Sequence, residues 1–415
     1  TTTGGTSRGV PSPRPRAKWI VRFVTAPSLH AAANEVPLEA AVTFDRAYAP
    51  SLIQNLFTAT IASVLDSRLV QQNAGEDQGN AWLNRNSAGS GAFRLARFQP
   101  NESYTLERND NWWRGRANLQ RVIVRHVPEP ATQRLLVERG DVDIYENVDK
   151  DLAEQIQANP DLQLVFGQTL NLTYLALSPD STTFATPLSD PFVRQAIAQA
   201  IDYDGIIDGL LSGYADRPAS PLPIGVQGSN PTERYVRNLD AARDLLAQSG
   251  FADGMNLTLY IGTGAPGGIP AETLAAKIQA DLAEVGITVE INQQPTSNFL
   301  TAFRAQELPF LFSTWTPDYL DATMWSDYFS YADSGLSRRI RMDSPTIADL
   351  AMRAANETDP ALRTQLYIEY QTAHLNEAVF LPLFQPQALY ALRANVQGYV
   401  FHPVYFTDFY SLSKS

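Results

Sequence analysis

Apolar and polar residues alternate over Ser90–Phe98 and again over Ser103–Arg108, with Pro100-Asn101 between them, which predicts a β-hairpin. Arg121–Val127 reads as a strand, Ala131–Glu138 as a helix ended by Gly140, and Val142–Tyr145 as a short strand. Asp151–Asn159 is a helix stopped by Pro160, and Leu164–Leu177 is strand-like and ends in the polar loop Ser178–Ser189. Asp190-Pro191 predicts the start of a helix over Phe192–Ile201, because Asp caps free N–H groups and Pro suits a first turn. Leu239–Ser249 is a helix with Gly250 just past its end. Asn256–Ile261, Ala271–Val285 and Ile287–Asn292 make a strand–helix–strand unit in which Gly286 stops the helix. Phe310–Trp315 is an apolar strand, and Pro360–Ala378 a long helix. Phe380–Phe384 and Tyr390–Leu392 are expected to pair as strands. Upstream, Val42–Phe44 suggests a strand and Tyr48–Phe57 a helix entered at Pro50-Ser51, while Thr1–Arg16 reads as a flexible extension. No fixed period recurs. The pattern is that of an α/β chain with at least two lobes.

Length agrees, since 415 residues exceed what one small core organises. No apolar run approaches the ~18 residues of a membrane span, and the longest, such as Ala378–Phe384, read as buried strands. A formal net charge of −12 argues against a nucleic-acid partner, which needs clustered cations. The one basic-rich segment, Arg8–Arg22, is interleaved with prolines and falls largely within the extension. The absence of cysteine excludes disulfides, thiolate metal sites and a cysteine nucleophile. No charged-then-apolar leader opens the chain, so an export signal is expected to have been removed or to lie upstream.

Signatures of catalysis are weak. Gly262-Thr263-Gly264-Ala265-Pro266-Gly267 fits Gly-x-Gly-x-x-Gly between a strand and a helix, and Glu290 lies near the end of the following strand. Pro266 removes an N–H and Pro270 delays the helix, so a loop skirting a cleft is the better reading. His30, His126, His374 and His402 are scattered without ligand spacing. There is no Gly-x-Ser-x-Gly elbow, and the acidic pairs Asp141/Asp143 and Glu129/Glu138 have turn explanations. We expect no enzyme activity, no metal and no cofactor.

Five ordered runs resemble the peptide/nickel-type (family 5) periplasmic solute-binding proteins. They are Gly89-Ser90-Gly91-Ala92-Phe93-Arg94-Leu95, then Leu106–Trp113 (LERNDNWW), and Gly140-Asp141-Val142-Asp143-Ile144. Phe192–Ile197 with Ala200-Ile201-Asp202 follows, and last Gln279–Leu282 with Gly286-Ile287. The resemblance runs from about Val42 to the C-terminus and implies a two-lobed α/β binding protein (type II, peptide-binding branch) whose hinge closes on a solute. By that likeness the family's first strand and most of its small extra domain are absent. The expected division is an extension over 1–16, a remnant of the extra domain over 17–85, a first lobe over 86–170 plus 395–415, and a second over 171–394.

The resemblance also implies site residues. A buried ligand ammonium needs a carboxylate, which the family places just after a Trp. Here the matching run is Trp315-Thr316-Pro317-Asp318, so Asp318 would hold the α-amine, Trp315 would form a flat wall, and Thr316 would add a polar contact. Asp318 and Trp315 have plainer readings as a turn residue and a core residue, and Asp321 as a turn or N-cap residue before Thr323–Tyr328. A ligand carboxylate would want an arginine, but Phe312 stands where the oligopeptide branch has one. Arg304 lies near a second family arginine and also reads as a solvated helix residue. Asn171, Tyr174 and Phe384 are further candidates to line the cleft, although such aromatics are more often core. The expected function is extracytoplasmic capture of a peptide or peptide-like solute for the membrane permease of an ATP-driven importer. The alternative is a shortened relative acting as a structural subunit of a larger, membrane-associated assembly.

Overall fold

The computed structural model describes residues 47–415 except 60, 61, 231, 233, 334 and 406, together with the backbone of 20–23 and 40–43. The expected extension over Thr1–Arg16, and His30, lie outside these residues. Ala40–Thr43 is a strand paired antiparallel with Ile20–Phe23.

One sheet organises the molecule. Its strands run in the order Ile287–Gln294, Met255–Gly262, Phe310–Trp315, Leu172–Leu177, Phe380–Arg393 and Ile144–Glu146. The first two are parallel, joined by the crossover helix Ala271–Ala283, as the strand–helix–strand pattern predicts. Leu172–Leu177 is antiparallel to both its neighbours. All six of its residues are buried because both faces of the sheet are covered. On one face Leu175, Ile197, Leu259 and Ile278 share a core with the helices Pro191–Ala200, Leu239–Gln248 and Ala271–Ala283. On the other, Tyr174, Phe303, Ile347 and Tyr370 pack beneath the helices Thr296–Arg304, Pro345–Asn356 and Pro360–Glu377.

A second, smaller lobe begins where the strand Phe380–Arg393 changes partners. From Gln387 it pairs with Leu162–Gln168, and from Tyr390 also with Ile144–Glu146. Its Leu389 and Ala391 share a core with Val137 and Ile156, supplied by the helices Pro130–Arg139 and Ala153–Gln157. The expected hairpin is present as Phe93–Gln99 and Ser103–Arg108, with Arg121–Arg125 as a third antiparallel strand.

Two sequence expectations need correction. Leu164–Leu177 is two strands, Leu162–Gln168 and Leu172–Leu177, because residues 169–171 carry the chain between the lobes. Phe380–Phe384 and Tyr390–Leu392 do not pair with each other. They are the two ends of one 14-residue strand, whose pairing register shifts between Pro382 and Phe384.

The runs that carried the resemblance hold the fold together. Asn109 donates to Gly91 O at 3.0 Å and accepts from Arg94, tying the hairpin's end to its start. Gly140 takes the left-handed conformation (φ 79°) that ends the helix Pro130–Arg139. Asp190 accepts from Phe192 N at 2.8 Å, as its capping role requires. Arg194 is buried with its guanidinium spent on the carbonyls of Leu188, Ser189 and Glu377. Asp202 and Asp281 converge on Lys277, which donates to them at 2.8 and 2.5 Å.

Candidate functional site: the cleft between the lobes

The chain passes between the lobes at residues 169–171 and again at Gln385-Pro386, side by side. Gln385, fully buried, fixes this junction. Its amide donates to Thr169 O (2.6 Å) and Ile224 O (2.9 Å), and its carbonyl oxygen accepts from Ile224 N (2.8 Å). Thr169 in turn donates its hydroxyl to Pro386 O. Every polar atom of the Gln385 side chain is therefore used on backbone that a sheet ladder leaves free. Pro386, which has no N–H, costs nothing here because the strand is exchanging partners.

Above this junction lies a cleft of about 1490 Å³. Its floor includes Thr169, Asn171, Pro386 and Gln387. The small lobe contributes the face of its helix with Arg134, Leu135 and Glu138, then the turn Asn147–Leu152. The large lobe contributes the strand end Phe312–Thr314, Phe299 and Leu300, and the loop Gly262–Gly268. The Gly-rich run is therefore a wall of the cleft. Gly267 is left-handed (φ 62°), and a Cβ there would come within 2.6 Å of the Phe384 ring. That ring packs under the loop, and the glycine is what lets the backbone lie against it.

A hydrogen bond spans the cleft. Lys150 Nζ, on the small lobe, donates to Gly267 O at 2.9 Å. The lysine is half-buried, and burial pushes its pKa down while Asp149 opposes the shift. The other cation lining the cleft, Arg134, is engaged by Glu138 at 2.7 Å.

The expected site residues separate into three groups. Asn171 lines the cleft. Tyr174 and Phe384 do not; both are fully buried core residues. Tyr174 packs edge-on against Phe329 and Phe380, with ring centroids 5.2 and 5.7 Å apart, and burial raises its hydroxyl pKa. Trp315, Thr316 and Asp318 continue from the strand whose residues 312–314 line the cleft, but they lie beyond that lining. Thr316 and Asp318 are exposed. The Trp315 ring lies against Tyr328 (4.4 Å), and its Nε1 donates to Met324 O at 3.3 Å. Arg304 is exposed at the last turn of its helix and also lies outside the lining. Sequence reasoning missed Lys150 and Gln385. Lys150 sits in the charged run Asp149-Lys150-Asp151, which resembles any solvated turn. Gln385 looks like a break between two apolar strands.

Ala322 occupies the N-cap position of the helix Thr323–Ser326, and Asp321 holds the turn that leads into it, accepting from Thr323 N at 3.0 Å and from the Thr323 hydroxyl at 2.8 Å. It also forms a bidentate ion pair with Arg363 at 2.7 and 3.0 Å, in which both side chains are only 2% exposed. Ser51, on the helix Pro50–Leu56, donates to Asp321 and accepts from Arg363, which docks this early helix on the large lobe.

Two α/β lobes joined by paired strand crossings beneath a cleft make up the fold of the two-lobed periplasmic binding proteins. Residues 14–336 match the family model of the bacterial extracellular solute-binding proteins, family 5 Middle, and the chain belongs to that family. It is 26% identical over 345 residues to a probable D,D-dipeptide-binding periplasmic protein of Escherichia coli, covering 83% of this chain and 65% of that one. Among solved structures, HbpA2 from Haemophilus parasuis superposes with a TM-score of 0.77 at 21% identity, over 93% of this chain and 75% of that one. A periplasmic binding protein from Helicobacter pylori in complex with the peptide STSA gives 0.74 at 23% identity, over 90% and 72%. The chain thus spans a little under two thirds of the length of the E. coli relative.

Proposed function

We propose that the chain captures a peptide or peptide-like solute in the cleft and presents it, outside the cytoplasm, to the membrane permease of an ATP-driven importer, without chemistry on the solute. The observation that carries this reading is the cleft itself. At about 1490 Å³ it exceeds the ~300–1,000 Å³ of ordinary small-molecule pockets, and two α/β lobes flank a stapled junction. Its walls mix apolar patches with backbone groups and carboxylates, a lining that suits a zwitterionic chain whose side chains vary. The E. coli relative is named for dipeptide binding, and the H. pylori structure holds a peptide.

Within this reading Asp318 receives the ligand's α-amine. Its exposed carboxylate, on a turn just past the cleft-lining end of the strand Phe310–Trp315, supports that role. Trp315, already committed to Tyr328 and Met324, steadies the turn. Native mass spectrometry of the full chain with a di- and tripeptide mixture tests the proposal. Retention of peptide is expected, with Asp318→Ala weakening free-amine ligands about tenfold or more. If the chain holds no peptide from the mixture, the function is wrong. Peptide binding untouched by Asp318→Ala would remove the site assignment alone.

A further inference from the structure

We propose that Lys150 is the cation that receives the carboxylate end of the bound solute, giving up its bond to the Gly267 carbonyl when it does so. This deepens the peptide reading above and rests on it. A zwitterionic ligand brings one negative group, and Phe312, which stands where the oligopeptide branch has an arginine, is buried and carries no charge. Among the described residues lining the cleft, Arg134 and Lys150 carry positive charge. Arg134 is held by Glu138 at 2.7 Å, with both side chains largely covered, so its charge is already answered. Lys150 donates at 2.9 Å to a backbone carbonyl, which is neutral, and the adjacent Asp149 acts on it through space without being an ion-pair partner.

A carboxylate is the better partner on simple grounds. A charge-assisted bond between two ions is shorter and stronger than one from an ammonium to an amide carbonyl. The advantage grows as water leaves, and Lys150 is already half-buried beside the floor of the cleft. A Cβ placed on Gly268 would lie 3.8 Å from Nζ, at ordinary contact distance, so the ammonium lies against the loop backbone on the cleft wall. The carbonyl across the gap serves as a placeholder, satisfying one Nζ proton until the ligand's oxygen replaces it. Because Gly267 belongs to the opposite lobe, the exchange takes place between the two walls.

The test uses the dipeptide Ala-Leu and its C-terminal amide, titrated calorimetrically into the full chain. The wild type is expected to bind the acid roughly tenfold to a hundredfold more tightly than the amide. In Lys150→Met, which keeps the stem and removes the charge, the ratio falls to near one, while Lys150→Arg keeps most of it. The ligand-side comparison needs no variant, so it stands even if Lys150→Met fails to fold. Equal binding of acid and amide by the wild type overturns this inference and leaves the peptide reading intact. So does a Lys150→Met variant that retains the preference. Binding of neither form by the wild type overturns the peptide reading, and this inference with it.

Discussion

The Arg363–Asp321 pair offers the sharpest test of how the large lobe is held. Both side chains are 2% exposed. Arg363 spends its guanidinium on Asp321 (2.7 and 3.0 Å), Ala354 O (3.0 Å), Ser51 (2.8 Å), Gln227 (2.8 Å) and Tyr367 (3.3 Å). Asp321→Asn preserves shape and leaves an acceptor for Thr323, but it strands a buried guanidinium. Removing one member of such a pair costs about 3–5 kcal/mol. The retained contacts to Ser51, Gln227 and Ala354 O place the expected loss near the lower end. Arg363→Met strands the carboxylate instead and should cost a similar amount. If the pair acts as a unit, the double variant loses far less than the sum of the singles, with a coupling of about 2–3 kcal/mol. Urea unfolding followed by tryptophan fluorescence reports on this region, because Trp325 is fully buried four residues beyond Asp321. An Asp321→Asn loss under about 0.5 kcal/mol, or additive singles, would refute the reasoning.

His374 is 1% exposed, and neither ring nitrogen has a hydrogen-bond partner among the described residues; burial depresses its pKa from 6.5 to about 3. The unfolded chain therefore binds the extra proton first. This contribution is fully present above pH 6.5 and is lost as pH falls toward 3, at about 1.4 kcal/mol per unit. Stability curves at pH 7.5 and 5 should differ by about 2 kcal/mol more in the wild type than in His374→Leu. Gln385→Leu leaves the amide N–H of Ile224 and two carbonyls without partners, so hydrogen exchange of Ile224 N–H should quicken at least tenfold; unchanged exchange would show that Gln385 does not fix the junction. Gly267→Ala forces a Cβ toward Phe384 at φ 62° and should lower stability by about 1–3 kcal/mol in thermal unfolding. A neutral effect there would mean the loop is free to lift.

Much of the fold was legible because local signals agree with it. Asp190-Pro191 begins a helix and Gly140 ends one, each by a mechanism confined to a few residues. The ordered motifs identified the family for a related reason: Asn109, Arg194, Asp202 and Asp281 each satisfy polar groups that the fold must satisfy whatever it binds. The same fact explains why the site was harder to read. Tyr174 and Phe384 are apolar residues in strands covered on both faces, and period-2 reasoning cannot separate a core face from a cleft face there. The break at residues 169–171 is marked only by Gly167-Gln168, since Thr169 and Asn171 alternate with Leu170 and Leu172 and so read equally well as one strand. Conversely, the polar Gln385 looked like a strand end, because its use for backbone 161 residues away in sequence is invisible to any local pattern. Lys150 was missed because its partner lies 117 residues away.

The strand Phe380–Arg393 belongs to both lobes and follows in sequence the strands it pairs with. Neither lobe can complete its sheet until the ribosome has made this segment. Nor can any single cut divide the protein into two pieces that each keep all their strands. Folding of the two lobes is thus deferred until this segment exists and arrives for both together, so a premature stop before residue 380 would cost both lobes and not one.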